Sequence, residues 1–389
     1  MGAGKTSWAI DYINQHQDES ILYIAPYLSE TERIQSSVFR DVKLPQQHGD
    51  GKIGDILKLL ENEEDIASTH ALFTKLTDEH KEAIQCGNYT LFIDETIEAV
   101  APYELKNKDD LQYLIDKGSV TINSDGAIEW IDHDYDIGFN PIKVLAKNHA
   151  LYRVNETILI WQYPPDIFKI FKKIFVLTYM FKSSTMRYYF DLAGIKYNLK
   201  SVKQGDDDYQ FYQLVDYHEP SIEYFRDKIH IYDKPDLNKI FPQKTTALSK
   251  SWFDNSNNKW KMEALQKATY NFFHNKCGSK SNEVMWTTFK KHKNDLKGKG
   301  YSNSFVSLNC RATNDYADSK YLAYIVNVFP HVGVAQYFLQ HGIKLDDDNY
   351  ALSTLVQWIF RSAIRNGEDV YIYIPSERMR NLLKRWLNV

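Results

Sequence analysis

Seven short apolar runs, each opening into a polar loop, constrain this 389-residue chain more than any other feature. ILYIAPY (Ile21 to Tyr27), DIASTHALF (Asp65 to Phe73), YTLFIDET (Tyr89 to Thr96) and KIFVLTYMF (Lys173 to Phe181) fall in the first half. NEVMWTTFKK (Asn282 to Lys291), NSFVSLNCRATN (Asn303 to Asn314) and EDVYIYIPS (Glu368 to Ser376) fall in the second. Continuous rather than alternating hydrophobicity marks strands buried on both faces, and amphipathic stretches between them supply the covering helices. The fold class is therefore α/β with parallel central sheets. KQGDDDYQ (Lys203 to Gln210) reads as a linker, so two domains are expected, residues 1–204 and 205–389. An irregular polar segment at about 102–148 reads as an insertion in the first.

The opening MGAGKTSWAI carries the second constraint. Gly2-Ala3-Gly4-Lys5-Thr6 matches the second half of G-x-x-x-x-G-K-[ST], a loop that cradles phosphates. Glycines let backbone N–H groups approach phosphate oxygens, and a following helix presents its positive end to anions. Lys5 would reach the β- and γ-phosphates of ATP, and the Thr6 hydroxyl would ligate Mg²⁺. The first glycine of the pattern and the strand that leads into it do not precede this run, so the first strand of the first domain is expected to be missing. Asp94-Glu95 ends the most apolar run of the first half. That placement suits a metal-holding Asp94 and a water-orienting Glu95.

The net charge of −4 excludes a strongly basic nucleic-acid coat while leaving room for a local basic groove. Cys86, Cys277 and Cys310 follow no metal or disulfide spacing, which fits a reduced compartment. No apolar run reaches the roughly 18 residues of a membrane span. The expectation is a cytoplasmic protein, in the host cytoplasm if phage-encoded, with no membrane partner.

The ordered set GAGKT, YIAPY, STHALF, LFIDET and VLTYMF resembles motifs I, Ia, Ib, II and III of superfamily 2 helicases and translocases. VMWTTF, NCRATND and QWIFRSAIR resemble motifs IV, V and VI, so the resemblance covers nearly the whole chain apart from the insertion, in a style like that of bacteriophage helicases. It implies two RecA-like domains with ATP between them and single-stranded nucleic acid crossing both. On this resemblance Gly2, Ala3, Gly4, Lys5 and Thr6 bind ATP, with Thr6 and Asp94 on Mg²⁺. Ser68, Thr69, His70, Thr287 and Thr313 contact the nucleic-acid backbone, and Thr178 couples hydrolysis to movement. Arg311 and Asp315 bridge the two ligand sites. Motif VI in the family reads Q-x-x-G-R-x-x-R. Gln357 and Arg361 fit it, Phe360 stands in the glycine position, and the second arginine arrives one place late, at Arg365. Four residues apart on one helix, Arg361 and Arg365 would share a face, and either would serve as the arginine finger.

The lysine-rich FKKHKNDLKGKGY (Phe289 to Tyr301), with aromatics at both ends, and Trp286 read as further strand contacts. The implied activity is an ATP-dependent helicase or translocase on single-stranded or forked DNA, or on RNA, with replication proteins as companions. Two alternatives stand beside it: a clamp that binds nucleic acid without hydrolysis, and a phage packaging ATPase. The latter is disfavoured because Asp346 to Asp348 form a run of adjacent acids rather than a spread nuclease constellation.

Overall fold

The computed structural model describes residues 4–131, 140–155, 158–205, 211–219, 221–241, 244–308 and 316–389. The chain divides into two compact units. One comprises Gly4–Asp216 with Pro330–Leu345, the other Tyr217–Phe329 with Asp346–Val389.

In the first unit, helix α1 (Lys5–Gln15) is followed by strands β1 (Ile21–Ala25), β2 (Ile66–Thr69) and β3 (Thr90–Asp94). The chain then leaves for an inserted layer built on β4 (Val100–Tyr103), β5 (Val120–Ile122), β6 (Ile128–Trp130), β7 (Leu151–Val154) and β8 (Ile158–Gln162). It returns in β9 (Lys173–Leu177) and ends in a hairpin, β10 (Lys200–Gln204) and β11 (Tyr212–Asp216).

The central sheet has the order β2-β1-β3-β9, and every pair is parallel. All five residues of β1 are buried, as expected for a strand covered on both faces. Strand alternation divides its side chains between two cores. Tyr23, Phe92 and Phe175 join Trp8, Ala9 and Ile13 of α1, whereas Leu22, Ile24, Leu91 and Ile93 face the helices on the other side. At the strand starts, the buried Glu19 carboxylate ties three of them together. It accepts from Thr90 Oγ1 at 2.9 Å, Tyr12 Oη at 3.0 Å and Lys173 Nζ at 2.7 Å.

The inserted layer pairs β4-β8-β7 antiparallel beside a β5-β6 hairpin. Its open face is covered by a helix from far along the chain, Val332–Gln340. Val334, Tyr337 and Phe338 enter the first unit's core, and Tyr337 Oη donates to Gln162 Oε1 at 2.5 Å. Gly333 lies so close to the sheet that a Cβ there would sit 2.5 Å from Ile158 Cγ2.

The second unit holds strands β12 (Ile229–Ile231), β13 (Val284–Thr287), β14 (Tyr321–Tyr324) and β15 (Val370–Tyr373). They form a parallel sheet of order β12-β15-β14-β13. The α/β class with a parallel sheet in each half thus stands as expected. No described helix is long and apolar enough to cross a membrane.

Candidate phosphate and metal site

Helix α1 begins at Lys5, with Gly4 as its N-cap at φ +72°. A left-handed backbone favours glycine, and a second demand reinforces it. A Cβ on Gly4 would lie 2.1 Å from the Tyr212 ring. Tyr212 belongs to β11, whose backbone N–H donates to Asp11 Oδ2 of α1 at 3.0 Å. The hairpin therefore packs on Gly4 and on α1. No described strand leads into the loop, and among the described residues β9 pairs on one side only.

The first turn of α1 carries no acid, so its positive end is uncompensated by the helix's own side chains. Lys5 lies within electrostatic reach of Asp94 and Glu95. Burial pushes its ammonium pKa down, and the two carboxylates oppose that shift. Asp94, the last residue of β3, is raised to about 6, chiefly by burial and then by the neighbouring Glu95 charge. A hydrogen bond from Tyr23 works the other way: its hydroxyl donates to Asp94 Oδ2 at 2.9 Å.

Glu95 takes a left-handed backbone, φ +63°, which costs a non-glycine residue about 1 kcal/mol or more. Its N–H still donates to Leu177 O at 3.1 Å, extending the β3–β9 ladder by one rung. Thr178 Oγ1 donates to Glu95 Oε2 at 3.4 Å. Lys5, Thr6, Asp94, Glu95 and Thr178 thus lie at the α1 N-terminus and the carboxyl ends of β3 and β9, where open parallel sheets bind ligands.

Ser68 and Thr69 end β2, and His70 opens the short helix His70–Phe73. Ser68 is buried and its hydroxyl has no partner among the described residues, whereas Thr69 caps that helix by accepting from Leu72 N. In the second unit Thr287 ends β13, fully buried, its hydroxyl without a partner among the described residues. Gln357 lies half-buried on helix Asp347–Ile359. Gly2, Ala3, Arg311, Thr313 and Asp315 lie outside the described residues.

Three expectations are corrected. Arg361 and Arg365 do not share a helix face, because the helix stops at Ile359. The chain turns at Ser362, whose hydroxyl donates to Ile359 O, and resumes as a short 3₁₀ turn over Ala363–Asn366. Arg361 is consequently buried, with Nη1 donating to Leu308 O at 3.4 Å, while Arg365 is exposed. Trp286 is no nucleic-acid platform. It is fully buried, edge-on to Tyr301 at 5.4 Å. Tyr301, at the end of the lysine-rich run, is buried too and donates to Leu296 O. Within that run Lys291 pairs with Asp254, and His292 sits between Asp254 and Asp295.

Tyr23, Asp11 and Tyr212 are the site neighbours that sequence reasoning missed. The alternation in ILYIA places Tyr23 on the α1 face, but only strand pairing reveals what its hydroxyl reaches.

Comparison with known proteins gives two family matches. A model described as the YonV C-terminal Rossmann-like domain matches residues 223–387. One described as the YonV middle domain matches residues 100–161, which run from β4 into β8. The SPbeta prophage-derived protein YonV of Bacillus subtilis (strain 168) is 40% identical over 402 residues, an alignment spanning 100% of this chain and 97% of the relative. Two solved structures, described as XPD_APO and XPD_Helicase, align over 100% of this chain and 93% of theirs, each at 12% identity. Their TM-scores are 0.49 and 0.46.

Proposed function

The chain belongs to the YonV family, and from the geometry at the α1 N-terminus we propose that it is an ATP-hydrolysing nucleic-acid motor of the helicase or translocase kind. One observation carries this reading. A lysine in the first turn of a helix lies within electrostatic reach of two carboxylates at the end of the adjoining strand β3. Lys5 would bind the β- and γ-phosphates, and the N–H groups at the α1 N-terminus would bind the remaining phosphate charge.

The donor set fits Mg²⁺. Asp94 is a half-buried carboxyl at the end of β3, and Thr6 supplies a hydroxyl one residue beyond Lys5. Among the described residues no group of three or more His, Cys, Asp or Glu side chains could hold a metal. Magnesium is commonly held by one or two carboxylates together with a substrate's own phosphates. When bound, Mg²⁺ would neutralise charge on those phosphates. Glu95 would accept a hydrogen bond from the attacking water and orient it, with Thr178 steadying its carboxylate. Thr69 and His70, half-buried at the end of β2, would contact a phosphodiester backbone, joined by Thr313, whereas the Ser68 and Thr287 hydroxyls are buried away from any such backbone in this structure.

The test is ATP hydrolysis with and without single-stranded DNA, beside Lys5→Ala. The expected result is DNA-stimulated turnover that Lys5→Ala abolishes. Nucleic-acid binding by the wild type without any turnover would overturn the motor and favour a clamp.

A further inference from the structure

We propose that Tyr23 is a positioning residue for the metal-binding carboxylate, Asp94. The proposal rests on reading the α1 N-terminus as a magnesium–nucleotide site, and it adds a component that the phosphate-loop pattern does not contain.

The strand register explains how the two side chains meet. Tyr23 of β1 lies opposite Phe92 of β3, and Asp94 follows two residues later on the same face. A diagonal neighbour of this kind is within reach of a long aromatic side chain. The Tyr23 ring stacks on Phe92, 6.1 Å between centroids with 18° between planes. It is wholly buried in the cluster containing Trp8, Ala9 and Ile13 of α1. A ring held on both sides has no freedom to swing, so its hydroxyl fixes Asp94 Oδ2 at 2.9 Å.

That hydrogen bond holds the carboxylate in one orientation at the end of β3. With Oδ2 engaged, Oδ1 is the oxygen left to face a cation or its water. The arrangement works as outer-shell partners of metal ligands do, by setting the ligand's orientation, and losing such a partner typically weakens metal affinity about 10- to 100-fold. Phenylalanine at this position would fill the same space and leave the stacking intact.

The experiment titrates Mn²⁺ into full-length protein with ATP by electron paramagnetic resonance. In parallel, ATP affinity is measured with EDTA present. Tyr23→Phe is expected to weaken Mn²⁺ binding at least about tenfold while leaving metal-free ATP affinity within about twofold of wild type. Dissociation constants refer to the folded molecules alone, so partial loss of stability would not imitate the split. A purely structural tyrosine would lower the melting temperature without moving the Mn²⁺ constant, and that result would overturn the proposal. Wild-type protein that binds ATP equally with and without Mn²⁺ would overturn the metal-site reading itself, and Tyr23's role with it.

Discussion

Glu19 offers a quantitative test of how the first unit's sheet is held. Desolvation alone would raise its carboxyl pKa. Hydrogen bonds from Lys173, Thr90 and Tyr12 outweigh that and bring it from 4.5 to about 2. At about 1.36 kcal/mol per pH unit, the drop corresponds to about 3 kcal/mol in favour of the folded state. The carboxylate is only 5% exposed, but the flanking Lys172 and Lys173 side chains are 37% and 42% exposed. Solvent screening around the lysines reduces the expected contribution to about 1–2 kcal/mol. The sign follows from a depressed folded-state pKa: the stabilisation is complete above pH 4.5 and is lost as pH falls toward 2. Glu19→Gln keeps an acceptor for Thr90 and Tyr12 but removes the charge. By urea denaturation it should be about 1–2 kcal/mol less stable than wild type at pH 7. By pH 3.5 about 40% of that gap should have closed. Equal stability at pH 7, or a gap that does not narrow in acid, would refute the reasoning.

Two further outcomes are expected. Gly4→Ala forces a Cβ into the Tyr212 ring on a left-handed backbone, so it should cost about 1–2 kcal/mol and weaken ATP binding at least about tenfold. Thermal melts and nucleotide titration check this, and wild-type ATP affinity would refute it. Asp94→Asn should stabilise the ligand-free protein by about 1–2 kcal/mol at pH 7, because a carboxyl raised to about 6 costs stability once pH climbs above its unfolded value near 3.8. The gain should vanish below about pH 4, and metal-dependent ATP binding should be lost at every pH.

The strand ends were legible because burial demands long apolar runs, and the loops that follow must solvate their own polar groups. Asp94 and Glu95 could be placed for that reason, at a boundary the hydrophobic pattern marks, whereas Lys5 was placed by the glycine-rich pattern around it. Contacts made through pairing were not legible. Tyr23 reaches Asp94 only through the β1–β3 register, and Tyr212 covers Gly4 from the far end of the unit. The helix expected to carry both arginines continues in sequence without glycine or proline until Gly367. Its break at Phe360 to Ser362 comes from hydroxyl and backbone bonds that no pattern announces. Aromatic residues misled in the opposite direction. Trp286 and Tyr301 flank lysines, yet their rings build the second unit's core.

The helix Val332–Gln340 belongs to the first unit, although the chain reaches it only after Phe329 of the second, to which it returns at Asp346. On the ribosome this imposes an order. Residues up to Asp216 emerge with the inserted sheet's apolar face uncovered, Ile158 and Ile160 included. The residues that cover it follow on the order of ten seconds later at ordinary elongation rates. The nascent first unit must therefore remain unfinished while most of the second is being made, and a chain released early would carry that face into solution.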